Sequence, residues 1–201
     1  MDAVRVSALR QHLAGTGWLE VVGGFAGSLR RSVSRRGAGG LLLVGTEAYE
    51  PWHLAAHLED EAAWSDVPRL APTLLRHRPP AGAPAHLAQD LRRLTEARRG
   101  ATVLVVAPSA AGAPLLERVQ DARRHGATVL AVDGAAPADA GDLGGLAHER
   151  LAVGTAADEP FDLAQHLVSA AAGQPPARRS ALDRLADLAG RLTAAPAISR
   201  W

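Results

Sequence analysis

ATVLVVAPSAAGAPLLERVQDARRHGATVLAV, residues 101–132, is the stretch whose reading decides the fold. Ala101–Val106 is a β-rich apolar run. Pro108–Gly112 is a loop of small residues. Over 114–125 the spacing predicts a helix, with Leu115, Leu116, Val119 and Ala122 turned inward and Gly126 as its stop. Thr128–Val132 is a second β-rich run. Strand, loop, helix and strand at this spacing form a βαβ crossover, which makes the two strands parallel.

Working outward, the same alternation continues on both sides. Upstream, glycines 37, 39 and 40 lead into Leu41–Val44, a continuous apolar run of the kind found in a buried parallel strand. Residues 45–49 are the loop at its carboxyl end, and Pro51 suits the start of a helix that runs to about Trp64. Thr73–Leu75 reads as a short strand. Residues 85–99 read as a helix with Leu87, Leu91 and Leu94 in a stripe and Gly100 as its stop. Residues 17–35 form an amphipathic helix, with Trp18, Val22, Phe25, Leu29 and Val33 along one face. Its last turns carry Arg30, Arg31, Arg35 and Arg36, read as a solvated end complementing the helix dipole. A further short helix is expected over 2–14.

Downstream, Asp133-Gly134 opens a loop to about residue 145, Arg150–Val153 is a final strand, and Pro160 starts a helix that Gly173 stops. Its face is read as Phe161, Ala164, Val168 and Ala171. The expected fold class is therefore α/β, a three-layer sandwich on a largely parallel sheet of the flavodoxin or Rossmann type, with N-terminal helices and a C-terminal helix. The division is a domain over 1–174, then a Pro-rich linker and amphipathic helix over 175–201.

Composition narrows the function classes. The chain has 201 residues, 47% of them hydrophobic and only 3% aromatic, so Ala, Leu and Val must fill its core. Every basic residue is Arg, a mark of a GC-rich genome of the actinobacterial kind. The net charge of +1 gives no electrostatic case for nucleic acid or an anionic membrane. With no cysteine, a disulfide framework, a thiolate metal site and a Cys nucleophile are excluded. Charges at Asp2, Arg5 and Arg10 stand where a signal peptide needs its apolar stretch, and no window is long enough to span a membrane. A cytoplasmic, soluble protein is the expectation.

In open α/β sheets, ligands sit at the carboxyl ends of the strands. That selects the loops 45–50, 107–113 and 133–137. The order of parts over residues 17–173 resembles the sugar isomerase (SIS) domain family. The resemblance rests on the long helix before a glycine-bounded first strand, on Val103–Ser109, and on the helix ending Ala-Arg-Arg-His-Gly before Ala127–Val132. It implies a phosphosugar ligand and homodimerisation. Of the family's central Ser-x-Ser-Gly-x-Thr loop, the positions fall at Ala107, Ser109, Ala110 and Gly112, so one hydroxyl remains. The first loop is Gly45-Thr46-Glu47-Ala48, where Thr46 is a donor and Glu47 opposes a phosphate. The ligand-binding residues so implied are Gly45, Thr46, Ser109, Ala110 and Gly112. Asp133, at a strand end, is a candidate for a sugar hydroxyl or a turn cap with Gly134. With its hydroxyls thinned, the chain reads as a binding or regulatory module needing no cofactor.

Glu50, His53, His57 and Glu61 share one helical face. Histidines four apart can hold a metal, but exposed pairing of His with Glu is the preferred reading and no metal is assigned. Glu50, His53 and His57 are also the candidates for acid–base catalysis, since that helix starts at the ligand loop. Arg76, His77 and Arg78 read as a solvated basic cluster, and Trp52 and Trp64 as core or interface residues.

Three functions follow. The first is a non-catalytic module binding a phosphosugar or other carbohydrate derivative. The second is a dimeric scaffold whose pocket has decayed and whose C-terminal helix recruits a protein partner. The third is an active sugar-phosphate isomerase.

Overall fold

The computed structural model describes residues 17–84, 88–134, 141–153 and 161–174. The expected helix over 2–14 and the whole of 175–201 lie outside the described residues. In chain order the elements are α1 (Trp18–Ser34), β1 (Gly40–Gly45), α2 (Trp52–Trp64), a single 3-10 turn (Pro68–Leu70), β2 (Pro72–Leu75), α3 (Arg92–Glu96), β3 (Ala101–Ala107), α4 (Ala113–Arg124), β4 (Thr128–Asp133), α5 (Gly141–Leu146), β5 (Glu149–Ala152) and α6 (Phe161–Gly173).

The five strands form one sheet in the order β2-β1-β3-β4-β5, and every neighbouring pair is parallel. Alternate residues of each strand feed two apolar layers. Leu41, Leu43, Leu104, Val106, Leu130 and Val132 pack against α1, α2 and α6. Val44, Val103, Val105, Val129 and Ala131 pack against α3, α4 and α5. Helices on both faces of a parallel sheet complete the three-layer α/β sandwich. The strand order reverses between β1 and β3, so this is the doubly wound order with its switch point there.

The α1 stripe is borne out, with Val22, Phe25, Leu29 and Val33 buried. Its arginine-rich end is not simply solvated. Arg30 donates to the carbonyls of Ala172 and Gly173 at 3.0 Å each and pairs with Asp66 at 2.5 Å. It thereby caps the end of α6, where the last carbonyls have no partner within the helix.

Two expectations need correction. The helix expected over 85–99 is only Arg92–Glu96. Ahead of it the chain bridges to β2: Arg76 N–H donates to Gln89 O at 2.9 Å, and Asp90 accepts from Arg92 N–H at 2.8 Å. The bridge competes with the helical ladder and delays the helix start. Conversely, the loop expected up to 145 contains the short helix α5, which covers the sheet with Leu143.

Candidate functional site

The first loop is shaped by Gly45. A Cβ there would lie 1.8 Å from Tyr49 O, so only glycine lets the chain fold back over the end of β1. Tyr49 N–H donates to Thr46 O at 3.2 Å, closing the turn. Thr46 is 4% exposed, and its Oγ1 has no hydrogen-bond partner among the described residues. A buried hydroxyl left unpaired is costly and calls for an explanation.

The two acidic residues of this loop are met by the end of β2. Arg76 Nε lies 3.2 and 3.1 Å from the two carboxylate oxygens of Glu50, and its Nη2 lies 3.0 Å from Oε2. Trp52 Nε1 donates to the same carboxylate at 2.6 Å, and the Arg76 guanidinium sits 4.8 Å over the Trp52 ring. Arg78 pairs with Glu47 at 2.5 Å, and His77 Nε2 is 3.0 Å from Gly45 O. Arg76, His77 and Arg78 are therefore structural partners of the first loop rather than a merely solvated cluster. Glu47, Ala48, Glu50, His77 and Arg78 line a cleft of about 390 Å³.

The other predicted positions lie along the same sheet edge. The register pairs Gly45 with Val106 and Ala107 with Asp133. Thr46 and the loop after β3 thus flank the switch point. Ser109, Ala110 and Gly112 are exposed. Asp133 is 2% exposed and accepts from Arg150 Nε at 2.9 Å, an ion pair between neighbouring strands. Gly134 N–H donates to Ala107 O at 2.8 Å, binding the β4 end to the β3 end.

The candidate acid–base residues go elsewhere. Glu50 is occupied by Arg76 and Trp52. His53 and His57 face α6, where the ring of His166 stands 4.3 and 4.2 Å from theirs, centroid to centroid. The expected pairing of these histidines with glutamate gives way to a triple imidazole cluster. Glu61 instead lies against Gly173 on α6, and burial there raises its carboxyl pKa. His166 is 6% exposed, and burial, reinforced by His57 and His53, lowers its pKa to about 4. Burial and the neighbouring His53 also lower His57.

No family model matches the chain. No curated protein matches it either. Among solved structures, one from Salmonella typhimurium LT2, of a protein named for sugar binding, is similar at 15% identity with a TM-score of 0.48. The similarity covers 87% of this chain and 53% of that one, so the chain spans about half the length of that protein. No described helix is long and apolar enough to cross a membrane.

His166 is the residue that sequence reasoning missed. Its helix is buried almost all round, from Leu163 to Ser169. Gln165-His166 is a polar pair inside that apolar run, and this was the available signal. Gln165 Nε2 donates to Tyr49 Oη at 2.8 Å, and Tyr49 Oη lies 3.1 Å from Asp162 Oδ1. The start of α6 is thus fastened to the first loop.

Proposed function

We propose that this chain is a non-catalytic, SIS-like module that binds a phosphosugar or related carbohydrate derivative between the first loop and the loop after β3. The observation that carries the reading is the buried, unpartnered hydroxyl of Thr46 at the switch point of a doubly wound parallel sheet. Ser109 and the amides of residues 110–112 add donors on the neighbouring strand end. Glu47 does not count against an anionic ligand, because Arg78 neutralises it, as Arg76 does Glu50.

An isomerase needs an acid–base group beside this edge. Glu47 and Glu50 pair toward β2, and His53 and His57 toward α6, which favours binding over turnover. Homodimerisation belongs to the same proposal, carried by the family resemblance alone; a protein partner for residues 175–201 belongs instead to the alternative scaffold reading and rests on the amphipathic, proline-bounded sequence there.

Thermal-shift measurements with a panel of phosphosugars, in the presence of EDTA, test the reading. At 100 times its dissociation constant, a ligand adds about 2.7 kcal/mol. At least one phosphosugar is expected to raise the melting temperature of the wild type but not of Thr46→Val. No shift with any member at millimolar concentration overturns it.

A further inference from the structure

The imidazole cluster between α2 and α6 has no role in the carbohydrate reading. His53 and His57 lie one helical turn apart on α2, and His166 comes from α6, more than 100 residues later. Their ligand nitrogens all lie within 4.8 Å of one another. The third member points to a ligand independently of that grouping. His166 is 94% buried, and its Nε2 has no hydrogen-bond partner among the described residues. A buried, unpartnered nitrogen on a ring packed against two other imidazoles is either an unmet cost or a ligand atom awaiting its cation.

We propose that His53, His57 and His166 form a three-imidazole site for a divalent transition-metal ion, zinc being the cation it fits best. Neutral imidazole is a preferred ligand of zinc, and three nitrogens on one tetrahedral zinc stand about 3.3 Å apart, from bonds of about 2.0–2.1 Å. The proposal requires side-chain rotations that close the cluster from its present spread, within 4.8 Å, to that spacing. The hard oxygen-seeking cations, calcium and magnesium, are disfavoured by an all-nitrogen set. Deprotonated imidazoles are required for binding, and the burial that keeps His166 neutral meets that need.

The two helices supply the rigidity a metal site needs. Leu54 and Leu58 on α2, each directly following a ligand histidine in the chain, are fully buried in the apolar layer against the sheet. The far end of α6 is held by Arg30, and its start by Tyr49. His53 is exposed, so the cluster opens to solvent on that side. Three protein ligands leave a fourth position there for water or an oxygen ligand, the arrangement of an open zinc site. This site stands apart from the carbohydrate reading, and neither depends on the other.

The test uses untagged full-length protein, titrated with cobalt(II) as the spectroscopic probe and with zinc against a chromogenic chelator. One equivalent of cobalt is expected to bind with the intense visible bands of tetrahedral coordination. His53→Gln, His57→Gln and His166→Gln are each expected to weaken zinc binding at least ~10-fold, since losing even an outer-shell partner of a ligand costs that much. His125→Gln, at the end of α4 on the opposite face, is expected to leave it unchanged. His53 and His57 are solvent-accessible, so their variants carry the test even if His166→Gln fails to fold. The proposal is overturned if the wild type has no saturable site, or if His53→Gln and His57→Gln both bind zinc as the wild type does.

Discussion

Arg76 reaches across from the end of β2 and grips both carboxylate oxygens of Glu50, at 3.2 and 3.1 Å from its Nε. The pair is largely shielded, with side chains 16% and 26% exposed. A charged hydrogen bond of this kind contributes about 1.5–3 kcal/mol. Arg76→Met is expected to lower stability by about that amount in urea unfolding. Glu50→Gln should cost less, since the amide still accepts from Trp52. A double-mutant cycle with no coupling between positions 50 and 76 would remove this pair from the list of what holds the first loop.

Gly45→Ala is expected to be among the more damaging small substitutions. The added methyl meets the backbone of Tyr49, not a side chain that can swing aside. Overpacking of this type costs about 1–3 kcal/mol. Because the displaced segment carries Thr46, the variant should also lose any phosphosugar-induced thermal shift. Retention of both wild-type stability and that shift would mean the loop has another low-energy path.

Thr46→Val separates binding from stability. It removes a buried hydroxyl that has no partner among the described residues, so the apo protein should be as stable as the wild type or up to about 1 kcal/mol more stable. Ligand stabilisation should nevertheless vanish. A marked loss of apo stability would show that the hydroxyl is satisfied in solution.

Asp133 and Arg150 form the most buried ion pair of the described residues, with side chains 2% and 26% exposed. Removing Arg150 takes a charged partner from the buried Asp133 carboxylate; breaking a fully buried pair costs about 3–5 kcal/mol, and this half-shielded one is expected to cost less. Arg150→Leu should therefore unfold at a lower urea midpoint than Asp133→Asn/Arg150→Leu, in which the buried carboxylate is removed as well. Equal midpoints would place this pair outside the stabilising framework.

The imidazole cluster makes stability pH-dependent in the absence of metal. The His166 pKa in the folded chain is about 4, against an ordinary value of 6.5. The unfolded chain therefore takes up its proton first as pH falls. Stability contributed by neutral His166 is complete above pH 6.5 and is lost progressively down to pH 4, by about 1–3 kcal/mol. His57 adds in the same direction, while Asp162 and Asp60 oppose the shifts of His166 and His57 respectively. Raised Glu61 acts with the opposite sign, from 4.5 upward. The measurement is the difference between wild type and His166→Phe in urea midpoint at pH 7.5 and pH 5, with EDTA present. The wild type should lose midpoint relative to His166→Phe on going from pH 7.5 to pH 5.

The fold was legible where one segment carries all the information. Residues 101–132 hold two strands and their crossover helix within a continuous pattern, and the structure reproduces them within one residue at each end. Legibility failed where a distant partner decides. The leucine stripe over 85–99 could not reveal that Gln89 and Asp90 bridge to Arg76. The three glycines and one aspartate of α5 offered no helical propensity to read. At the site, strand ends announced Thr46 and Asp133 by position alone. Their surroundings, an unpaired hydroxyl and an ion pair with Arg150, depend on neighbouring strands. His166 was hidden because the stripe on α6 was sought among its apolar residues, and its companions His53 and His57 lie far away in the chain.

The register of the sheet also sets an order of events. β3 and β4 pair across about 26 residues, from Thr102 to Thr128, whereas β1 must find β3 across about 61, from Gly40 to Ala101. Loop closure is less costly for the shorter span, and its contacts reward the chain sooner. The crossover of residues 101–133 is thus expected to form first, with β1 docking onto its edge. The Gly45–Glu50 loop, built on the end of β1, would take its shape in that second step. A substitution that slows β1 docking is then expected to delay this loop without touching the crossover, so the timing of the first loop would follow from a single strand pairing.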